Sequence, residues 1–218
     1  MLRSGAANLS NHQKEVDALN VFPVPDGDTG TNMSMTFQSG VKDALACQSD
    51  KIGDVAKALS RGLLMGARGN SGVILSQFFR GIYTGMENIK GSSATTNEFI
   101  DCLVSGYKVA YKAVIKPVEG TILTVVRESA DYVAEHAEDF EDVDHVFRIL
   151  LVEARNSLKR TPELLPVLKE VGVVDSGGAG YVTILEGMYS ALKGKFVDKN
   201  AISALAEKQT EVTGSLEN

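Results

Sequence analysis

Cysteine, histidine and positive charge are all scarce in this chain, and each shortage closes off a class of function. Only two cysteines occur, Cys47 and Cys102, far apart and each in a helical-looking context. They form neither a disulfide framework nor a zinc pair and are expected as buried thiols in a reducing cytoplasm. The three histidines, His12, His136 and His145, have no metal-ligand spacing and no nucleophile beside them, so they are expected at the surface. Lys and Arg number 22 against 28 Asp and Glu, and the net charge of −6 argues against a broad nucleic-acid surface. No apolar run reaches the ~20 residues of a membrane span, and the start, Met1-Leu-Arg-Ser-Gly-Ala-Ala, lacks the apolar core of a signal peptide. Alternating strand patterns are nearly missing too; Val171-Gly-Val-Val174 is the one short apolar run that could be extended.

What is present is helical periodicity. Segments 6–18, 31–46, 53–66, 70–88, 96–114, 121–138 and 144–159 each carry apolar residues near i, i+3, i+4 and i+7. Thr161-Pro162-Glu163 predicts a short further helix, with Thr161 as N-cap and Pro162 at the first helical position. A last helix is predicted from Ala179 to Leu192, stopping near Gly194. Met33, Met35, Phe78 and Phe79 lie at helical spacing and are expected in the core. The joints are short and rich in Gly, Pro and Ser, which predicts one antiparallel helical bundle or barrel. Residues 1–194 form that domain, and 195–218 read as a polar linker or tail towards further domains, so the chain reads as a piece of a longer one.

Four small-residue loops each precede a helix. The first, Asn20-Val-Phe-Pro-Val-Pro-Asp26-Gly-Asp28-Thr-Gly-Thr-Asn32-Met33, places two carboxylates at i and i+2 across a glycine. Such a pair can face one point and suits a hard divalent cation, Mg²⁺ above all when phosphates share the coordination. The same acids also serve as an ordinary helix cap, and that reading stays open beside the metal one. An EF-hand does not fit, because its bidentate Glu position is Phe37. The second loop, Gly66-Ala-Arg-Gly-Asn70-Ser71-Gly72, can aim backbone N–H groups and a hydroxyl at phosphate or be a plain turn. It is not a Walker A loop, having no Gly-Lys-Ser/Thr. The third, Asp175-Ser-Gly-Gly-Ala-Gly180, has the same two readings, and Glu119-Gly-Thr-Ile122 is a fourth loop opening a helix. In a bundle these helix N-termini could meet at one end, which suits a phosphate-rich ligand.

At this point the chain resembles a known family. Asn20 to Met33 is similar to the signature of the nucleotide-binding domain of bacterial fatty acid kinases, which is related to the L subunit of dihydroxyacetone kinases. Gly66 to Gln77 and Val174 to Gly180 match its two later motifs, in order. The resemblance implies an all-α, antiparallel eight-helix barrel that binds ATP or ADP at one end through two Mg²⁺ ions. It implies metal ligation by Asp26 and Asp28, the groups on which catalysis would rest. The third aspartate of the dihydroxyacetone-kinase branch is absent; Asn20 lies one position away. That branch also has His where this chain has Thr29. Nucleotide contacts carry over to Thr29, Thr31, Asn32, Asn70, Ser71 and Gly72, to Thr121 and Ile122, and to the glycine loop at Asp175, Gly177 and Gly178. Helix N-termini at Thr31, Ser71 and Gly178 are expected to aim at phosphate.

The function so implied is Mg-ATP-dependent transfer of a phosphoryl group to a fatty acid carboxylate. A fatty-acid-binding protein would present the acid, and acyl phosphate would leave. The resemblance leaves room for a homodimer in a full-length form and places the protein in the cytoplasm. Two alternatives stand beside it: the nucleotide-binding subunit of a dihydroxyacetone kinase, and a non-catalytic module that holds ADP or ATP.

Overall fold

The computed structural model describes residues 1–198, and no strand forms among the described residues. The first pair of helices is α1, Leu2–Asn11, and α2, Gln13–Ala18. After the acidic loop come α3, Thr29–Ala46, α4, Ile52–Met65, and α5, Gly69–Met86. They are followed by α6, Thr96–Ala113, α7, Ile122–Glu135, and α8, Val143–Leu164. A short α9, Pro166–Val171, leads to α10, Ser176–Leu192. Thr95 opens α6 with a capping box, accepting from Glu98 N while Glu98 returns a bond to Thr95 N at 2.8 Å.

Eight of these helices close a ring. In order, α1 packs on α3, then α4, α5, α6, α7, α8 and α10 follow, and α10 returns to α1. Neighbours run antiparallel: on the closing pair, Asn8 donates from Nδ2 to the Thr183 carbonyl at 2.7 Å while Ser4 lies against Gly187. Small residues let the backbones approach. A Cβ on Gly62 of α4 would meet the Ser39 carbonyl at 2.8 Å and Gly40 Cα at 2.9 Å on α3. Gly81 of α5 with Gly106 of α6, and Gly5 of α1 with Gly187 of α10, repeat the device. The interior holds a chain of rings, Phe37 to Phe79 at 5.4 Å, Phe79 to Phe78 at 5.5 Å and Phe78 to Tyr181 at 5.4 Å between centroids. Leu9, Met33, Leu63, Leu75 and Ile184 fill the space between them. Met35, expected inside, points outward from α3 and is exposed.

The first and last helices begin earlier than expected, at Leu2 and Ser176, and two joints differ more deeply from the periodicity. The single helix expected over 6–18 breaks at His12, whose backbone turns to φ −102° and ψ 12°. The break serves two partners: α1 lies on α10, whereas α2 packs on the start of α3, with Gly30 against Gln13 and Val16. The second difference is at Thr161-Pro162. These residues do not open a helix; α8 runs through them to Leu164. Proline at 162 has no N–H for the Leu158 carbonyl four residues back. The Thr161 hydroxyl supplies the missing donor, bonding Leu158 O at 2.7 Å. Proline at a first helical position does occur, but at Pro166 of α9. The run Val171–Val174 is not extended as a strand: it ends α9 at Gly172, which takes the left-handed φ of 81°.

Residues 195–198 turn back along α1, where Val197 N donates to Ser4 Oγ at 3.2 Å. The rest of the expected polar tail, 199–218, lies outside the described residues.

Thr161 is fully buried, and its oxygen also accepts from Asp175 N at 3.1 Å. Thr161→Val is therefore expected to cost about 2–3 kcal/mol in urea unfolding, since two buried backbone groups lose their partner. Adding Pro162→Ala should recover part of that loss by returning an N–H to Leu158 O.

Candidate functional site

Because the ring alternates in direction, α1, α4, α6 and α8 end, and α3, α5, α7 and α10 begin, at the same face. All four motif loops meet there, around a cleft of about 640 Å³. Its wall includes Asn20, Asp26, Asp28, Thr29 and Asn32 from the acidic loop and α3. Asn70 and Ser71 come from α5, Thr121 and Ile122 from α7, and Asp175 and Gly177 from the start of α10.

The acidic loop is bent at a cis Phe22–Pro23 bond and at Gly27, where φ is 65°. Asp26 is exposed and Asp28 half-buried, so both carboxylates reach solvent at the cleft. Asn20 is buried, and its amide donates to Asp26 Oδ1 at 2.6 Å. Among the described residues no three His, Cys, Asp or Glu side chains cluster as a ready metal cage. The donor set is instead two carboxylates and an amide. Rotation of the Asn20 amide about Cβ–Cγ would exchange its nitrogen for its oxygen beside Asp26.

The four helix starts differ in how their N–H groups are used. On α3, Asp17 accepts from Thr31 N at 2.9 Å and from the Thr31 hydroxyl at 2.8 Å. Gln13 adds a bond to that hydroxyl at 2.8 Å. Thr31 thus faces α2 and does not line the cleft. On α10, Asp175 Oδ2 accepts from Gly178 N at 2.7 Å, while Gly178 Cα faces Val125 and Leu158 in the core. The N–H groups expected to aim at phosphate from Thr31 and Gly178 are therefore occupied within the protein. On α5 no side chain caps the start. Asn70 and Ser71 have backbone N–H groups with no partner among the described residues, and they open on the cleft. Gly72 lies behind them, packed on Thr36, whose hydroxyl accepts from Arg68 N at 3.1 Å and donates to Asn32 O at 2.7 Å. Gly69, with φ 59°, sits against the Asn32 amide, where a side chain would not fit.

Two residues outside the expected set hold this face together. Asp17 is one; nothing in the sequence links it to Thr31, fourteen residues on. Ser176 is the other, donating to the Thr29 hydroxyl at 3.2 Å and so tying the start of α10 to that of α3. Thr29 itself is buried.

Asp175 is almost wholly buried, and burial pushes its carboxyl up to about 6; N–H groups of Gly178, Ile122 and Gly177 pull it back. This carboxylate caps α10.

The ring and the face at which its loops meet together define a closed antiparallel helical barrel with a cleft at one end. The chain belongs to the DAK2-domain family, whose model matches residues 23–190. It is 54% identical over 202 residues to Protein YloV of Bacillus subtilis, covering 93% of this chain and 36% of that protein. An uncharacterized protein of Staphylococcus saprophyticus is 52% identical over 197 residues, 90% of this chain and 35% of its own length. The chain thus spans about a third of the length of these curated relatives. Among solved structures, the dihydroxyacetone kinase of C. freundii in complex with AMP-PNP and Mg²⁺ superposes with a TM-score of 0.61 at 15% identity. That match covers 87% of this chain and 33% of the kinase. The native form of the same kinase gives a TM-score of 0.60 at 16% identity. At these identities the likeness is one of fold.

The raised Asp175 carboxyl has a testable sign. The native state holds this proton at higher pH than the unfolded chain, so the group's contribution to stability is largest below about 4 and declines as pH rises through about 6. Asp175→Asn keeps a cap oxygen and cannot ionise. Relative to wild type it should gain about 1–3 kcal/mol in urea unfolding between pH 4.5 and pH 7.

Proposed function

We propose that this chain is the nucleotide-binding domain of a Mg-ATP-dependent phosphotransferase whose acceptor is a fatty acid carboxylate. The observation that carries the reading is the meeting, on one cleft, of Asp26, Asp28 and Asn20 with the unoccupied N–H groups of Asn70 and Ser71. Oxygen donors of this kind suit Mg²⁺, and the solved relative by fold was crystallised with AMP-PNP and Mg²⁺. Asp26, Asp28 and the rotated Asn20 amide would hold the metal, two ions on this reading. Bound there, Mg²⁺ would neutralise charge on the phosphates during transfer.

The protein's own groups then divide the work. Asn70 and Ser71 receive phosphate oxygens on the open α5 terminus. Asn32, Thr121, Ile122 and Gly177 bound the nucleotide. Asp175 caps the α10 start on the cleft wall. A carboxylate acceptor is already ionised at neutral pH: its oxygen bonds the γ-phosphorus, the bond to the β–γ bridging oxygen breaks, and no proton has to move. Thr29 fits this acceptor. It stands where the dihydroxyacetone-kinase branch has His, and it is buried against Ser176, unable to serve as a base for a hydroxyl. The glycerone reading is weaker for that reason. The non-catalytic reading shares the same cleft and is separated from the first by turnover.

A fatty-acid-binding partner that presents the acid, cytoplasmic residence and a homodimer of a longer form are parts of the same proposal. No helix of the described residues is long and apolar enough to cross a membrane.

Calorimetric titration of ATP with Mg²⁺ and with EDTA tests the site. Binding should require Mg²⁺, and Asp28→Ala should weaken it at least tenfold; unchanged affinity would remove the metal site from the proposal. Acyl-phosphate formation should be far faster when the remaining two thirds of the longer relatives and the acyl-carrying partner are supplied. Equal rates from this chain alone would count against a shared substrate site.

A further inference from the structure

The wall of the cleft opposite the acidic loop is made by the connection from α6 to α7, residues 114–121, and only part of that connection was recognisable from its sequence. It contributes Val114, Ile115, Lys116, Val118 and Thr121 to the lining. Among the charged side chains on that lining, Asp26, Asp28 and Asp175 are acidic and Lys116 alone is basic. Lys116 has no ion pair or hydrogen bond among the described residues, whereas Arg61, Arg127, Arg155, Arg160 and Lys193 are each paired with a carboxylate.

The strap that carries Lys116 is fastened at both ends to one network. Glu119 accepts from the Tyr111 hydroxyl at 2.9 Å, from the Thr124 hydroxyl at 2.6 Å and from Arg127 Nη2 at 2.9 Å. Arg127 Nε donates to Tyr111 Oη at 3.0 Å, so the carboxylate, phenol and guanidinium form a closed set. Burial acts to raise the Glu119 carboxyl, but these donors outweigh it and hold it below its ordinary value. Gly120, with φ 82°, donates from its N to Thr124 Oγ1 at 2.8 Å, and Thr121 Oγ1 donates to the Val118 carbonyl at 2.8 Å. At the other end Val114 N bonds the Tyr111 carbonyl at 3.3 Å. So a short segment with a proline in it, and with the cleft's single cation at its centre, is tied down on either side by Tyr111 and Glu119.

We propose that Lys116 is a phosphate-contacting residue of this cleft and that Glu119 is its positioning residue. The proposal rests on the nucleotide reading and adds a residue to it. A polyphosphate brings several negative charges into a site that already holds three acids. Metal ions on the acidic loop answer part of that charge on one side; on the other, Lys116 is the one fixed positive group available. Its ammonium is a compact point charge with three donors on a flexible stem, suited to phosphate oxygens and indifferent to their exact fork geometry. Pairing Arg127 with Glu119 leaves Lys116 unpaired and directs the guanidinium to the strap.

The test is calorimetric titration of ATP and ADP, with Mg²⁺, into wild type, Lys116→Gln, Lys116→Arg and Glu119→Gln, at low and at high salt. Lys116→Gln should weaken both nucleotides about tenfold at low salt with an unchanged melting temperature. It should also flatten the salt dependence seen in wild type, because one screened contact is gone. Lys116→Arg should restore most of the affinity, a rescue that a purely structural role would not show. Glu119→Gln should lose a smaller part and leave the salt dependence in place. Lys116→Gln binding ATP within twofold of wild type, or Lys116→Arg binding no better than Lys116→Gln, would overturn the assignment while leaving the nucleotide site standing. A wild-type chain that binds neither nucleotide would overturn both.

Discussion

Everything at the functional face depends on the closure of a ring with an even number of antiparallel helices. Closure with alternation forces four helices to begin, and four to end, at one face. It makes the chain return to that face after every second helix, through the connections near residues 12–28, 66–68, 114–121 and 165–175. Residues far apart in sequence are thereby brought to one cleft without a long loop. The connections at the opposite face, near 47–51, 87–95 and 136–142, carry none of the motifs. Close packing of the helices keeps this geometry firm, since Gly40 and Gly62, Gly81 and Gly106, and Gly5 and Gly187 bring backbones together where any side chain would push them apart.

Four helix starts at one face would concentrate partial positive charge, and the protein meets part of it internally. Asp17 accepts from Thr31 N on α3, and Asp175 accepts from Gly178 N on α10. The start of α5 receives no bond from any side chain among the described residues, and it lies beside the start of α3 on the cleft. Those open N–H groups are what the proposed nucleotide site would use. The cost of burying Asp175 is offset in part by the bond that its carboxylate accepts from Gly178 N at the start of α10.

The helices were legible because amphipathic periodicity is a local property and each helix buries one face. The cleft was legible as a set of loops, since glycine, serine and acidic residues cluster ahead of helix starts. Which N–H groups remain open was not legible. Thr31 and Gly178 have the right residues around them, but their amides are taken by Asp17 and Asp175, the first from a separate helix. The Thr161-Pro162 pair read locally as a helix start and is a helix interior, because the Thr161 hydroxyl replaces the N–H that proline lacks and the buried Asp175 backbone anchors it. Lys116 was overlooked for a related reason: a lysine in a loop has no periodic signal, and its place opposite the acids exists only after the ring has closed.

Ring closure also sets an order of events during synthesis. The seam between α1 and α10 joins Asn8 to Thr183, with most of the chain lying between them. Asp175, Ser176 and Gly177, at the start of α10, form part of the cleft wall. A ribosome-bound chain therefore carries the complete acidic loop and the open α5 terminus well before it carries a closed cleft. Until α10 is in place, the interior faces of α1 and α3, with Leu9, Met33 and Phe37, lack part of their native cover. The cleft takes its full shape only when α10 packs between α8 and α1.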